Sequence, residues 1–170
     1  MAVQHMMVGV VAVKRKLNNP WIDFEWTPEA ILPGLPAVEP GTVIARDGPH
    51  ESYYLGPAEL TFHSGETAHY RDNLTSGRPS VWVALRDNGD GIWRVAGVTV
   101  DPYEGEAYAD TVDDRVEPVP MPHDVMVELS AFFDKHHVEQ TFFKRKRDRH
   151  VQEPTYGLGH PNLRRPGDKG

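Results

Sequence analysis

The chain has 170 residues with 39% hydrophobic side chains and a formal net charge of −7, a length that suits one domain with its own core. It has no cysteine, which excludes disulfides, thiolate zinc sites, cysteine-ligated iron–sulfur clusters and a cysteine nucleophile. Fifteen prolines exceed the usual ~5% and exclude long helices outside the proline-free run from His123 to Glu153.

Met7 to Val13 is short, apolar and β-branched, and Lys14-Arg15-Lys16 closes it, which predicts a first strand. An apolar run followed by positive charge inverts the order of a secretory signal and is too short to span a bilayer, so the expected location is cytoplasmic with no membrane contact. Met6 or Met7 offers an alternative start. Asn18-Asn19-Pro20 turns the chain, and Trp21 to Trp26 alternates as a second strand, with Ile22, Phe24 and Trp26 opposite Trp21, Asp23 and Glu25. The two tryptophans have two readings, core area or the lining of a binding groove. Ile31 to Pro40 is an extended, proline-rich connector, and Thr42 to Arg46 is a short strand. Ser52 to Leu55 and Glu59 to His63 read as two strands broken at Gly56-Pro57. Ser64-Gly65 is either a hairpin turn or the start of a short helix through Glu66, Tyr70 and Leu74, and the i, i+4, i+8 spacing favours the helix.

Ser80 to Pro102 organises the rest. Val81 to Leu85 and Ile92 to Val100 are separated by Asp87-Asn88-Gly89-Asp90-Gly91, a β-hairpin signal. Val81, Val83 and Leu85 share one face against Trp82 and Ala84; Ile92, Ala96, Val98 and Val100 share a face against Trp93, Val95 and Thr99. Both faces are largely apolar, as in central strands covered on both sides. Asp101-Pro102 supplies a cap and a proline at the first helical position, predicting a short helix over Tyr103 to Asp110 with Glu104 and Glu106 in its first turn. Val116 to Pro122 must be extended. Val125, Leu129, Phe132, Phe133 and His136 form an apolar stripe on a helix from about His123 to Val138. Gln152 to Gly170 is glycine- and proline-rich and reads as a disordered tail. The predicted fold class is α+β: a mainly antiparallel, twisted β-sheet of about five or six strands with one amphipathic C-terminal helix and a disordered basic tail. The expected division is a single domain over 1–150, with core 7–140 and a basic arm 142–150, then a tail over 151–170.

Charge is segregated. Eleven acidic residues against two basic ones occupy 101–139, and Lys144-Arg145-Lys146-Arg147-Asp148-Arg149 follows. This pattern suits charge-steered contact with a macromolecule, or a plain solvated surface. The basic run would serve nucleic acid, but the acidic whole-chain balance argues against that partner. A metal could be gripped by His136, His137 and Glu139, although adjacent helical residues point about 100° apart and no HExxH spacing occurs. His63 and His69 could contribute only if the fold brings them there. Phosphate-loop, dinucleotide and nucleophile-elbow signatures are missing, so no cofactor and no catalytic residue is assigned.

Several motifs together carry a resemblance. They are VGVVAVKRKLNNPWIDFEW near the start; Glu66, Thr67, Tyr70, Asn73 and Leu74 in ET-x-x-Y-x-x-NL; PSVWVALR at Pro79 to Arg86; VTVDPYEGEAY at Val98 to Tyr108; VEPVPMP at Val116 to Pro122; and HHVEQTFFKRKR at His136 to Arg147. Over about residues 7–147 the chain resembles an uncharacterised proteobacterial family of unknown function whose members are encoded beside formate dehydrogenase maturation genes. The resemblance implies a non-enzymatic accessory or assembly protein for a molybdenum- or tungsten-dependent formate dehydrogenase. Its expected partner is a subunit of that enzyme or its maturation chaperone. The expected docking residues are Tyr103, Glu104 and Glu106 on the short helix, Lys144, Arg145, Lys146 and Arg147 on the arm, and Trp21 and Trp82 where they face solvent.

Overall fold

A computed structural model describes residues 1–138. In chain order they form β1 (Val3–Lys16), β2 (Phe24–Leu32), β3 (Thr42–Asp47), β4 (His50–His63), a 3-10 turn (Ser64–Glu66) running into α1 (Thr67–Leu74), β5 (Ser80–Asp87), β6 (Trp93–Thr99), α2 (Pro102–Tyr108), β7 (Asp114–Pro120) and α3 (His123–His136). The class is α+β with mainly antiparallel pairing, but the strands form two sheets rather than one. The first has the order β2-β1-β4-β3 and the second β6-β5-β7, and every ladder is antiparallel.

The two sheets share one interior. β2 runs close to β7 and β4 close to β6, so side chains of both sheets and the helices meet. Val8, Val10 and Ala12 of β1, Leu60 and Phe62 of β4, and Val81, Val83 and Leu85 of β5 pack with Tyr70 of α1 and with Val125, Leu129 and Phe132 of α3. Each such aliphatic or phenyl group taken from water contributes about 1.5–3 kcal/mol. Phe62, Tyr70 and Phe132 form an aromatic knot with ring centroids 5.7–6.3 Å apart. It fixes both α1 and α3 to the end of β4.

Several boundaries depart from the sequence reading, each for a local reason. β1 begins at Val3, four residues early, because Val3 to Met6 pair with the far end of β4. Val3 is exposed, Gln4 and His5 are polar, and only Met6 packs against the core, so no apolar run marks this stretch. Trp21 and Ile22 lie in the turn before β2, whose strand continues through Pro28 to Leu32. β2 pairs through hydrogen bonds only with β1, and an edge of this kind tolerates proline. Gly56-Pro57 does not break β4. Leu55 is an extra residue opposite the Val10–Val11 step of β1, and such a bulge bends a strand without ending it. Gly56 takes φ +116° there, and Pro40 from the connector sits 3.2 Å from where a Cβ would be. That connector therefore covers the outer face of the first sheet. Another bulge places Ala96 opposite no partner, between the Ala84↔Gly97 and Leu85↔Val95 pairs. Ala96 is consequently exposed, and Trp93 and Val95 pack towards the core with Val98 and Val100.

β3 is left as an open edge of the first sheet, with its own bulge at Ile44 and with Arg46 and Asp47 exposed at its end. Among the described residues no helix is long and apolar enough to cross a membrane. The expected basic arm, the tail and the domain boundary at 150 lie outside the described residues.

Candidate functional site

The densest polar arrangement joins the starts of α1 and α2. Asp101 follows β6 and caps α2: its Oδ1 accepts the backbone N–H of Tyr103 at 2.9 Å and of Glu104 at 3.4 Å. Asx capping and the proline at the first helical position are why a helix of seven residues forms here. The other oxygen, Oδ2, faces His69 Nδ1 at 2.9 Å. His69 belongs to the first turn of α1, and Glu66, three residues earlier, brings its Oε2 to 2.9 Å from the same nitrogen. The Tyr103 ring lies 4.3 Å from the His69 ring, and its hydroxyl donates to Asp72 at 3.0 Å. Asn73, fully buried, donates to the carbonyls of Ser80 and Val100 and accepts the N–H of Ser80. This amide latches α1 to β5 and to the end of β6, and so sets where His69 stands.

The phenols around this junction all shift in one direction. Tyr70 is pushed up to about 12, chiefly by burial, with Asp101, Glu66 and Glu104 adding to it against a lowering contact with the His63 backbone. Tyr108 is raised by burial and then by Glu104, whose carboxylate accepts its hydroxyl. Tyr103 is raised mainly by its hydrogen bond to Asp72. In each case the neighbouring side-chain charges named are carboxylates, which oppose ionisation.

Beside the junction opens a cleft of about 360 Å³ lined by Asp72, Arg78, Trp82, Pro102, Tyr103 and Glu106, among others. Three of the residues expected at a docking site, Trp82, Tyr103 and Glu106, are thus brought together. Tyr103 is half exposed, whereas Trp82 is pinned under α2 at Gly105. Glu104 is not with them; its carboxylate turns to Thr99 and Tyr108.

Trp21 stands apart, on the turn between β1 and β2, and is 89% exposed. Its backbone N–H donates to Asn19 Oδ1 at 2.8 Å, an Asx-type turn that holds the tip in shape. Ile22 and Phe24 are exposed beside it. They lead into a shallow cleft of about 320 Å³ whose lining includes Lys14, Asp23, Trp26, Asp87 and Trp93. The Lys14 ammonium lies 4.2 Å from the Phe24 ring centroid, a cation–π contact.

His136 and His137 are separated in role. The His136 ring packs on Phe132 and the His137 ring stacks on Phe133, while His137 Nδ1 lies 2.9 Å from Thr67 Oγ1. These contacts use the two imidazoles as packing and bridging groups along α3. Glu139, Lys144, Arg145, Lys146 and Arg147 lie outside the described residues. The Glu66, His69, Asp101 and Asp72 grouping is not evident from sequence: only the i, i+3 step from Glu66 to His69 hints at it, and Asp101 arrives through the fold.

The model of a family described as "Protein of unknown function (DUF3305)" matches residues 7–147. No curated protein and no solved structure matches the chain.

Proposed function

The chain belongs to this DUF3305 family, and on that premise we propose that it is a non-enzymatic accessory protein that works by docking a partner protein. The observation that carries this reading is the turn tip at Trp21, where Trp21, Ile22 and Phe24 together face water. Leaving an indole and two more apolar side chains exposed in one place forgoes several kcal/mol of burial, which a partner would recover. Trp is also the residue type most enriched among interface hot spots.

The rim favours protein over lipid. Asp23 and Asp87 line the cleft beside Phe24, and the nearby Lys14 is already engaged with an aromatic ring. An anionic membrane surface would be repelled by these carboxylates, whereas a protein segment offering an apolar anchor and a flanking Lys or Arg fits both parts. The motif resemblance supports a formate dehydrogenase subunit, or the chaperone that matures it, as the partner, with the contact made in the cytoplasm.

Affinity capture with the tagged full chain from the cytoplasm of its own source, beside a Trp21→Ser/Ile22→Ser variant, tests the proposal. Formate dehydrogenase subunits or their chaperone should be recovered with the wild type. Their titration against the variant should show Kd raised by roughly thirtyfold, the scale of a ~2 kcal/mol hot spot. Equal capture by both proteins, or capture only of unrelated proteins, overturns it.

A further inference from the structure

We infer that Glu66, His69 and Asp101 form a binding site for a divalent first-row transition ion such as Zn²⁺ or Mn²⁺, independent of docking at the Trp21 tip. The three donor atoms, one from each residue, all lie within 4.8 Å of one another. His69 Nδ1 is 2.9 Å from Glu66 Oε2 and 2.9 Å from Asp101 Oδ2. Ligands about 2.1 Å from an ion and about 90–110° apart stand about 3.0–3.4 Å from each other. A small movement of two side chains therefore converts the observed spacing into a coordination sphere.

A single proton cannot do the same work. One N–H on Nδ1 can point along only one of the two directions; the Asp101 contact is aligned as a hydrogen bond, while Glu66 approaches equally closely as an ion pair. An ion in place of that proton faces both carboxylates at once. The local charge also suits a cation. Glu66 and Asp72 at the two ends of α1, and Asp101, Glu104 and Glu106 at the cap and along α2, bring five carboxylates to this junction, and among the described residues no Lys or Arg forms an ion pair with any of them.

The shell around the triad is arranged as metal sites require. Asp101 is 7% exposed and its second oxygen is held by two backbone N–H groups, so its orientation is fixed before any ion arrives. The Tyr103 ring holds the His69 imidazole from the side. The Glu66 and His69 side chains are 44% and 36% exposed, which gives an ion an entry path and leaves room for water to complete its coordination. One imidazole with two carboxylates favours Zn²⁺, Mn²⁺ or Fe²⁺ over soft Cu(I), which wants thiolate or thioether, and over Mg²⁺, which prefers oxygen alone.

The test is calorimetric titration of Zn²⁺ into the chelator-treated full chain. The variants are His69→Gln, Glu66→Gln and a His136→Gln/His137→Gln control, with Mg²⁺ as the comparison ion. The expected result is one Zn²⁺ per chain, an affinity loss of at least about tenfold in each of the first two variants, the wild-type affinity in the control, and far weaker Mg²⁺ binding. Both changed side chains are solvent-reachable and cap nothing, so the fold survives their replacement. Absence of stoichiometric Zn²⁺ binding, wild-type affinity in His69→Gln and Glu66→Gln, or Mg²⁺ binding as tight as Zn²⁺, overturns the assignment.

Discussion

Tyr70 shows how much one side chain can couple. Its ring completes the aromatic knot with Phe62 and Phe132, its hydroxyl accepts the His63 N–H at 2.8 Å, and burial is the main reason its phenol is pushed up to about 12. The folded state holds this proton more tightly than the unfolded chain, where a tyrosine titrates near 10. Its stabilising contribution is therefore complete below about pH 10 and is lost as the pH rises through about 12. Urea midpoints measured from about pH 9 to about pH 12 should fall with rising pH, and Tyr70→Phe should make that fall shallower. Tyr108, raised in the same direction, keeps some slope in the variant. An unchanged slope in Tyr70→Phe would contradict the assignment. The helical placement of Tyr70 could be read from its spacing with Glu66 and Leu74. The meeting of His69 with Asp101, 32 positions away, could not, because a contact between distant residues leaves no period in the chain.

At the scale of elements, α2 was legible because Asp101-Pro102 is a local signal, and the β5–β6 hairpin because its turn residues are. What lies beneath α2 was not. Gly105 presses on the Trp82 side chain so closely that a Cβ there would overlap the indole. A glycine inside a short helix reads locally as a weak helix former, not as a place where a strand's tryptophan needs the room. Gly105→Ala would improve helix propensity by about 1 kcal/mol, yet the overlap is with the stem of the side chain and forces α2 off β5. We expect a net destabilisation of about 1–3 kcal/mol, seen as a lower urea midpoint; a midpoint raised above wild type would show that α2 floats free of Trp82. The bulges at Leu55 and Ala96 were equally hidden. Each adds one residue on one strand only, so the alternation changes phase without any change in composition.

For the whole molecule, alternating apolar residues identified most strands, and the buried side of β5, whereas in β6 and at the start of β2 the predicted faces did not hold; antiparallel hairpins followed from short connections. They did not tell one sheet from two, since alternation says which face is covered but not by what. The shared core predicts that the two sheets melt together. With the other tryptophans changed to Phe, a reporter at Trp26 in the first sheet and one at Trp82 in the second should give the same denaturant midpoint. Separate midpoints would mean that the sheets are stable alone. The open edge at β3 bears on how such a molecule survives at high concentration. A straight, bare strand edge would invite copies to zip into filaments, and the sticky Trp21 tip would bring them into range. The bulge at Ile44 spoils the comb of backbone groups, and Arg46 and Asp47 keep that end hydrated. The chain can therefore expose the apolar Trp21 tip without its β3 edge inviting a second copy.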